Sequence, residues 1–228
     1  MVAARSSPSR GLLVAAEGPD GAGKTATLDA LGRWLERQGR RVHHVRWEPS
    51  RLVDAALRTP RGRQLVTPLV ASLLGAADAY ERIDRDVRRP LARGDVVLAD
   101  RYCWTAVARD AARGVDLRWA ARVYRLAPRP DLVVYLREEP SLALARALDG
   151  RPAGRATESV GAAYEGFLDR LLASYGRILD DAGLGPWPAA TIVLDTTSPV
   201  DARHRIVRRR VQALLDGELA PIAGAQAP

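Results

Sequence analysis

The stretch Gly18-Pro19-Asp20-Gly21-Ala22-Gly23-Lys24-Thr25 constrains the fold more than any other part of the chain. It is a complete G-x-x-x-x-G-K-[ST] pattern. An apolar run, Leu12-Leu13-Val14-Ala15-Ala16, precedes it, and a segment with Leu28, Leu31 and Leu35 on one helical face follows. Strand, glycine-rich turn and helix, in that order, are what a phosphate cradle requires. Glycines let successive backbone N–H groups turn inward around an anion, and the N-terminus of the next helix adds positive potential. Gly18, Gly21, Ala22 and Gly23 would form that cradle, Lys24 would reach the β- and γ-phosphates, and the Thr25 hydroxyl would ligate Mg²⁺. Lys24 is the only lysine present; every other one of the 35 basic residues is an arginine.

The remaining sequence supplies partners for such a unit. Apolar runs at 42–47, 96–99, 132–136 and 191–194 join 12–16 as five strands. Being apolar on both faces, they suit a parallel sheet covered by helices. Helical periodicity covers 25–38, about 65–91, 105–113, 117–126, 141–148, 162–181 and 200–215, with Pro68 tolerable only near a helix start. This alternation predicts an α/β fold, a five-stranded parallel sheet flanked by helices with right-handed crossovers. There is no internal repeat and no interdomain linker. A length of 228 residues fits one domain, 11–216, between disordered tails at 1–10 and 217–228. The segment 149–159, DGRPAGRATES, reads either as a plain helix–helix loop or as a mobile lid over a ligand.

Charge narrows the ligand. The net charge of +8 and pI near 10.4 would ordinarily raise nucleic-acid binding. Yet the arginines are dispersed among acids, as in LERQGRR and ERIDRDVRR, and form no stripe. A small polyanion fits the charge equally well, and bulk nucleic acid is set aside as the main ligand. No apolar run approaches the roughly 18 residues of a membrane helix, so no membrane is expected. The single cysteine, Cys103, excludes an intrachain disulfide framework and suits a reducing cytoplasm.

A second chemical site lies at Val96-Val97-Leu98-Ala99-Asp100, an apolar strand ending in a carboxylate that can hold Mg²⁺ directly or through its waters. Arg101 follows, where a guanidinium can bridge donor and acceptor phosphates. The alternative is an Asp–Arg pair capping the next helix. Other tempting residues read more plainly. His43 and His44 are expected to be packed or surface histidines, Cys103 an inert thiol and Arg208–Arg210 a solvated face. Trp47 and Trp104 are read as core, with base stacking as their second option.

These motifs together resemble the thymidylate kinase family of nucleoside monophosphate kinases. Glu17-Gly18-Pro19-Asp20-Gly21-Ala22-Gly23-Lys24-Thr25 is similar to the family's F-E-G-x-D-G-A-G-K-T-T. Arg93-Gly94-Asp95-Val96-Val97 with Asp100-Arg101-Tyr102 is similar to its R-G-x-x-V and D-R-Y, and Pro130-Asp131-Leu132 to its P-D-L strand. The resemblance implies a P-loop NTPase fold with a short arginine-containing lid, and transfer of the ATP γ-phosphoryl group to a nucleoside monophosphate, dTMP first. It also implies ATP and Mg²⁺ as cofactors, a nucleotide substrate as partner, and a homodimer. By the same resemblance Asp20, Arg58, Arg101, Tyr102, Thr105 and Arg109 lie on the acceptor side, and Thr25 and Asp100 hold the metal. The catalytic set becomes Lys24, Asp20 and Arg101, with Arg151 and Arg155 from a lid at about 149–159.

Several acceptor positions depart from the family. Ala79 stands where the family's base-reading arginine is expected, with Tyr80 and Arg82 nearby to take its place. Arg109 stands for a tyrosine that excludes the ribose 2′-OH, and Arg46-Trp47-Glu48-Pro49-Ser50-Arg51 lacks the usual paired glycines. A kinase for another nucleotide, a nucleoside or a phosphorylated specialised metabolite is therefore a standing alternative. For an alcohol acceptor, Asp20 or Glu17 would be the candidate base. A non-catalytic nucleotide or nucleic-acid binder is the alternative of another class.

Overall fold

A computed structural model of the chain describes residues 11–47, 66–149, 158–181 and 190–218. The N-terminal tail, Arg58, and Arg151 and Arg155 of the expected lid lie outside the described residues. Five strands form one parallel sheet: β1 (Leu12–Glu17), β2 (Val42–Arg46), β3 (Val96–Asp100), β4 (Leu132–Arg137) and β5 (Thr191–Asp195). Their order is β2-β3-β1-β4-β5. Four of the five run one residue beyond the apolar run that predicts them, to Glu17, Asp100, Arg137 and Asp195. The sheet's carboxyl edge is thereby lined with charge.

Period-two alternation divides the strand side chains between two cores. Leu13, Ala15, Val97, Ala99, Val133 and Tyr135 pack on one side, with Ala76, Trp104, Leu117, Leu168 and Tyr175 from four helices. Leu12, Val14, Ala16, Val96, Leu98, Leu132 and Val134 pack on the other, with Leu28, Leu31 and Leu35 of α1 (Lys24–Arg37) and Val207 and Val211 of α8 (Val200–Leu215). The sheet is the middle of three layers, which is why its central strands β1, β3 and β4 are apolar on both faces, while the edge strands β2 and β5 are only partly buried.

The first layer contains α2 (Pro68–Arg82), α4 (Cys103–Ala112), α5 (Leu117–Val123) and α7 (Glu158–Asp180); α6 (Pro140–Asp149) follows β4. The long helix expected at about 65–91 is divided. It begins at Pro68, whose missing N–H costs nothing at N1, with the Thr67 hydroxyl accepting from Val70 N at 3.3 Å. A π-helical turn, Ile83–Arg88, then precedes the short α3 (Arg89–Ala92). Pro90 explains the break: in a regular α-helix its ring would meet the Asp86 carbonyl and its place in the ladder would lack a donor. Gly217 and Glu218, expected in the disordered tail, instead close α8. Their amides bond to the carbonyls of Leu214 and Ala213, and Gly217 takes φ +73°.

Candidate active site

The site is assembled from the ends of β1 and β3, which are neighbours in register: Ala16 pairs with Asp100. From β1 the chain enters the glycine turn. Gly18 has φ +132°, and a Cβ there would collide with the carbonyl oxygen of Leu136 on β4, so only glycine fits. The turn ends at Gly23, which caps α1 at φ +86°, and Lys24 and Thr25 open the helix.

Lys24 is 5% exposed. Its ammonium donates to the Pro19 carbonyl within the loop. Burial, reinforced by the Arg101 charge, pushes it down to about 7, against the pull of Asp20, Asp100 and Glu17. The Thr25 hydroxyl donates to Asp100 Oδ2 at 2.5 Å. The Arg46 guanidinium at the end of β2 lies 3.9 Å from the same carboxylate. A hydroxyl and a carboxylate on adjacent elements are hard oxygen donors of the kind Mg²⁺ takes alongside waters and phosphates. Thr25 and Asp100 therefore fit the ion. Among the described residues no cluster of three or more His, Cys, Asp or Glu is arranged for a metal.

Arg101 is the only non-glycine residue with positive φ among those described, at +68°. That conformation costs about 1–2 kcal/mol and is held in place by its surroundings. Its N–H donates to Ala16 O at 3.0 Å, its guanidinium donates to Gly18 O at 3.0 Å, and a second guanidinium nitrogen reaches Asp20. Asp20 also has Arg109 at 3.6 Å and accepts from Tyr164. Burial pushes the Asp20 carboxyl upward, but Arg101, Arg109 and Lys24 together draw it below the usual carboxylate range. This aspartate and its two arginines join the cradle to the space beyond.

Glu17 stands behind this cluster, 1% exposed. It accepts from Tyr102 N at 3.1 Å, from the Thr105 hydroxyl and from Tyr175 OH at 3.3 Å, and Thr105 and Tyr175 share a further bond of 2.7 Å. Burial raises its carboxyl pKa above the ordinary value, opposed by the Thr105 bond and the Arg101 charge.

Between α2, α4 and the end of β2 opens a cavity of about 230 Å³. Thr105 and Arg109 line it, so two of the acceptor residues expected from sequence share one wall. Tyr102 is placed differently: its ring is buried against Trp47 and its hydroxyl donates to Pro128 O at 3.0 Å, leaving its backbone amide to serve the site. Of the two stand-ins for the absent arginine, Arg82 lines the cavity, whereas Tyr80 stacks on Tyr124 and donates to Val123 O. The cavity also holds residues that the sequence reading missed. Ser72 donates to Asp110 Oδ2 at 2.5 Å, and Arg82 pairs with Asp78 at 2.6 Å. An acid inside an apolar helix, as in AVARDAA, was the signal available for Asp110.

The plainer readings fare variously. His43 pairs with Asp95 at 2.9 Å. Cys103 is buried, and burial with the Glu17 charge lifts its thiol well above the usual range, so it is inert. Trp104 is buried, and Trp47 both packs on Tyr102 and lines the cavity.

A glycine cradle with its lysine and threonine at the carboxyl edge of a parallel sheet, faced by an acid and an arginine from the adjacent strand, defines a P-loop nucleotide-binding protein. The family model for thymidylate kinase matches residues 16–160. The chain belongs to the thymidylate kinase family. It is 37% identical over 137 residues to "Probable thymidylate kinase 2" of Saccharolobus solfataricus, covering 60% of this chain. It is 38% identical over 144 residues to the thymidylate kinase of Xanthomonas campestris pv. campestris, again 60% of this chain. With the thymidylate kinase of Gloeobacter violaceus it shares 29% identity over 211 residues, 90% of this chain. The match spans 64% of the Saccharolobus protein's length, 60% of the Xanthomonas protein's and 96% of the Gloeobacter protein's.

Proposed function

We propose that this protein transfers the γ-phosphoryl group of Mg²⁺–ATP to the phosphate of a deoxynucleoside monophosphate, dTMP foremost, giving dTDP and ADP. The observation that carries this reading is the Arg101–Asp20–Arg109 cluster, which lies between the phosphate cradle and the cavity. A nucleotide lying in the cavity presents its phosphate to Arg101 and its sugar to Asp20 and Arg109. The donor triphosphate lies in the cradle, where its charge draws the Lys24 ammonium off Pro19. Thr25 and Asp100 would hold Mg²⁺, which when bound would supply charge to neutralise the donor phosphates. Lys24 and Arg101 then face charge developing on the transferred group, and the resemblance assigns Arg151 and Arg155, which lie outside the described residues, to the same task. Little else is required, because a phosphate acceptor is already anionic and catalysis rests on positioning and charge.

The nucleoside-alcohol reading needs a base, and neither carboxylate suits that task. Glu17 has its oxygens taken by three donors, and Asp20 is held ionised between two arginines. The non-catalytic reading leaves the assembled Lys24, Thr25, Asp100 and Arg101 without use. A homodimer is supported by Leu69, Val70 and Leu73, an exposed apolar stripe on α2. A cytoplasmic site is supported by the buried free thiol of Cys103; no helix among the described residues is long and apolar enough to cross a membrane. Coupled ADP-release assays on a panel of nucleotides and nucleosides test the proposal. Acceptor-dependent release with dTMP is expected, and release with no nucleoside monophosphate would overturn it.

A further inference from the structure

We infer that Asp110 reads the acceptor base, its carboxylate accepting an N–H from the base's hydrogen-bonding edge. This deepens the kinase reading above and rests on it. The cavity's lining mixes small and larger apolar residues with charged and polar ones. From α2 and α4 the apolar lining is small, Ala71, Gly75, Ala79 and Ala106, which leaves room for a planar ring laid between these helices, with Trp47 and Tyr124 also lining the space. Along α4 the groups facing this space come in order: Thr105, Arg109, Asp110 and Arg113. Thr105 touches Glu17 and Arg109 reaches Asp20, so these two side chains belong to the phosphate and sugar side. Asp110 stands five residues beyond Thr105, about 7.5 Å along the helix axis. A nucleotide anchored by its phosphate at Arg101 therefore carries its base toward Asp110.

Asp110 is built to be a fixed acceptor there. It is 7% exposed, and its Oδ2 accepts from Ser72, itself buried, at 2.5 Å. Its Oδ1 lies 3.7 Å from the Arg113 guanidinium. A carboxylate carries about four acceptor positions, so these two neighbours orient it and leave capacity toward the ring. Burial raises its pKa, while Ser72 and Arg113 work against that and favour the ionised, acceptor-only form. Across the cavity Arg82, held by Asp78 at 2.6 Å and by the Arg46 carbonyl at 3.4 Å, supplies a donor for a ring carbonyl. An acceptor and a donor lining one cavity match a ring N–H flanked by a carbonyl, the edge that thymine presents. A buried carboxylate with no N–H to accept rejects its ligand far more strongly than an apolar wall does.

The test compares kcat/KM for dTMP and for its 3-N-methyl analogue, which has lost the N–H. The wild-type enzyme is expected to prefer dTMP by about 100-fold. D110A should lose about 10- to 100-fold on dTMP and little on the methylated substrate, so the ratio falls toward one. S72A, which unfixes the carboxylate, should fall between. D110N keeps the shape and the Ser72 contact but turns an amide N–H toward the ring. It should move preference from dTMP to dCMP, whose ring nitrogen accepts, so the inference stays testable if D110A folds poorly. A wild-type ratio retained by D110A, or a dTMP preference retained by D110N, overturns the assignment of Asp110 alone. Absence of turnover of any nucleotide by the wild-type enzyme overturns the kinase reading, and this one with it.

Discussion

Replacing Lys24 with methionine should make the protein more stable and catalytically dead at once. Lys24 titrates at about 7 in the fold against an ordinary 10.5. At 1.36 kcal/mol per unit, that difference is a penalty of about 5 kcal/mol for holding the ammonium in a nearly buried site. Losing the bond to Pro19 returns about 1 kcal/mol, which leaves an upper figure of about 4 kcal/mol for the gain in Lys24→Met. The pH dependence identifies the cause. Between pH 7 and 10.5 the unfolded chain binds a proton that the folded chain has released, so stability of the wild type rises with pH across that window. The full penalty applies below pH 7, and about 1.4 kcal/mol of it remains at pH 9.5. Urea unfolding of both proteins at pH 6.5 and 9.5 therefore gives an advantage for the variant that shrinks by about 3 kcal/mol. Turnover should fall by about 10³-fold or more at both pH values, because the phosphate contact is gone. A variant less stable than wild type at pH 6.5, or an advantage that does not change with pH, would refute the reasoning.

Other perturbations address separate parts of the structure. Tyr175→Phe removes the hydroxyl shared by Thr105 and Glu17 and should cost about 1–2 kcal/mol in chemical denaturation, with the fold kept. Gly18→Ala forces a Cβ against the Leu136 carbonyl and a disfavoured φ. It should lower stability by about 3 kcal/mol and weaken ATP binding in calorimetry. Thr25→Ala should raise the Mg²⁺ concentration for half-maximal turnover by about 10- to 100-fold, and EDTA should abolish wild-type turnover. Leu69→Arg with Leu73→Arg should shift the mass measured by light scattering to that of one chain if α2 carries the dimer contact.

The sheet was legible because its three central strands, β1, β3 and β4, are buried on both faces and therefore announce themselves as short apolar runs; the edge strands β2 and β5 are only partly buried. The cradle was legible because its chemistry demands glycines, lysine and threonine at fixed spacing. What sequence could not give was what depends on helix phase. The π-helical turn at Ile83–Arg88 changes the phase of the segment after α2, and nothing in a 3.6-residue period foretells a wider turn ahead of Pro90. Tyr80 and Arg82, two residues apart on the regular α2, point to different sides of that helix. Which side meets the cavity depends on how α2 is rotated against α4 and β2, which local sequence does not encode. Tyr102, read as an acceptor contact, points into the core because the left-handed backbone at Arg101 reverses the direction of the chain just before it. The Glu17–Thr105–Tyr175 cluster joins positions up to 158 residues apart, and no local pattern encodes such a meeting.

The pairing of Ala16 with Asp100 has a consequence for how the reaction's geometry is kept. The cradle hangs from β1, and Asp100 and Arg101, the proposed metal-side acid and acceptor arginine, hang from β3, its immediate neighbour. Adjacent strands in a sheet stand about 4.8 Å apart, held by backbone hydrogen bonds that no side-chain change can stretch. On the proposed reading, the sheet would act as a caliper between donor and acceptor, whose reacting atoms must approach to about 3–3.5 Å. Substrate choice can drift through residues on α2 and α4 while that gauge stays set, so acceptor positions can diverge without disturbing the jaws between which phosphate would pass.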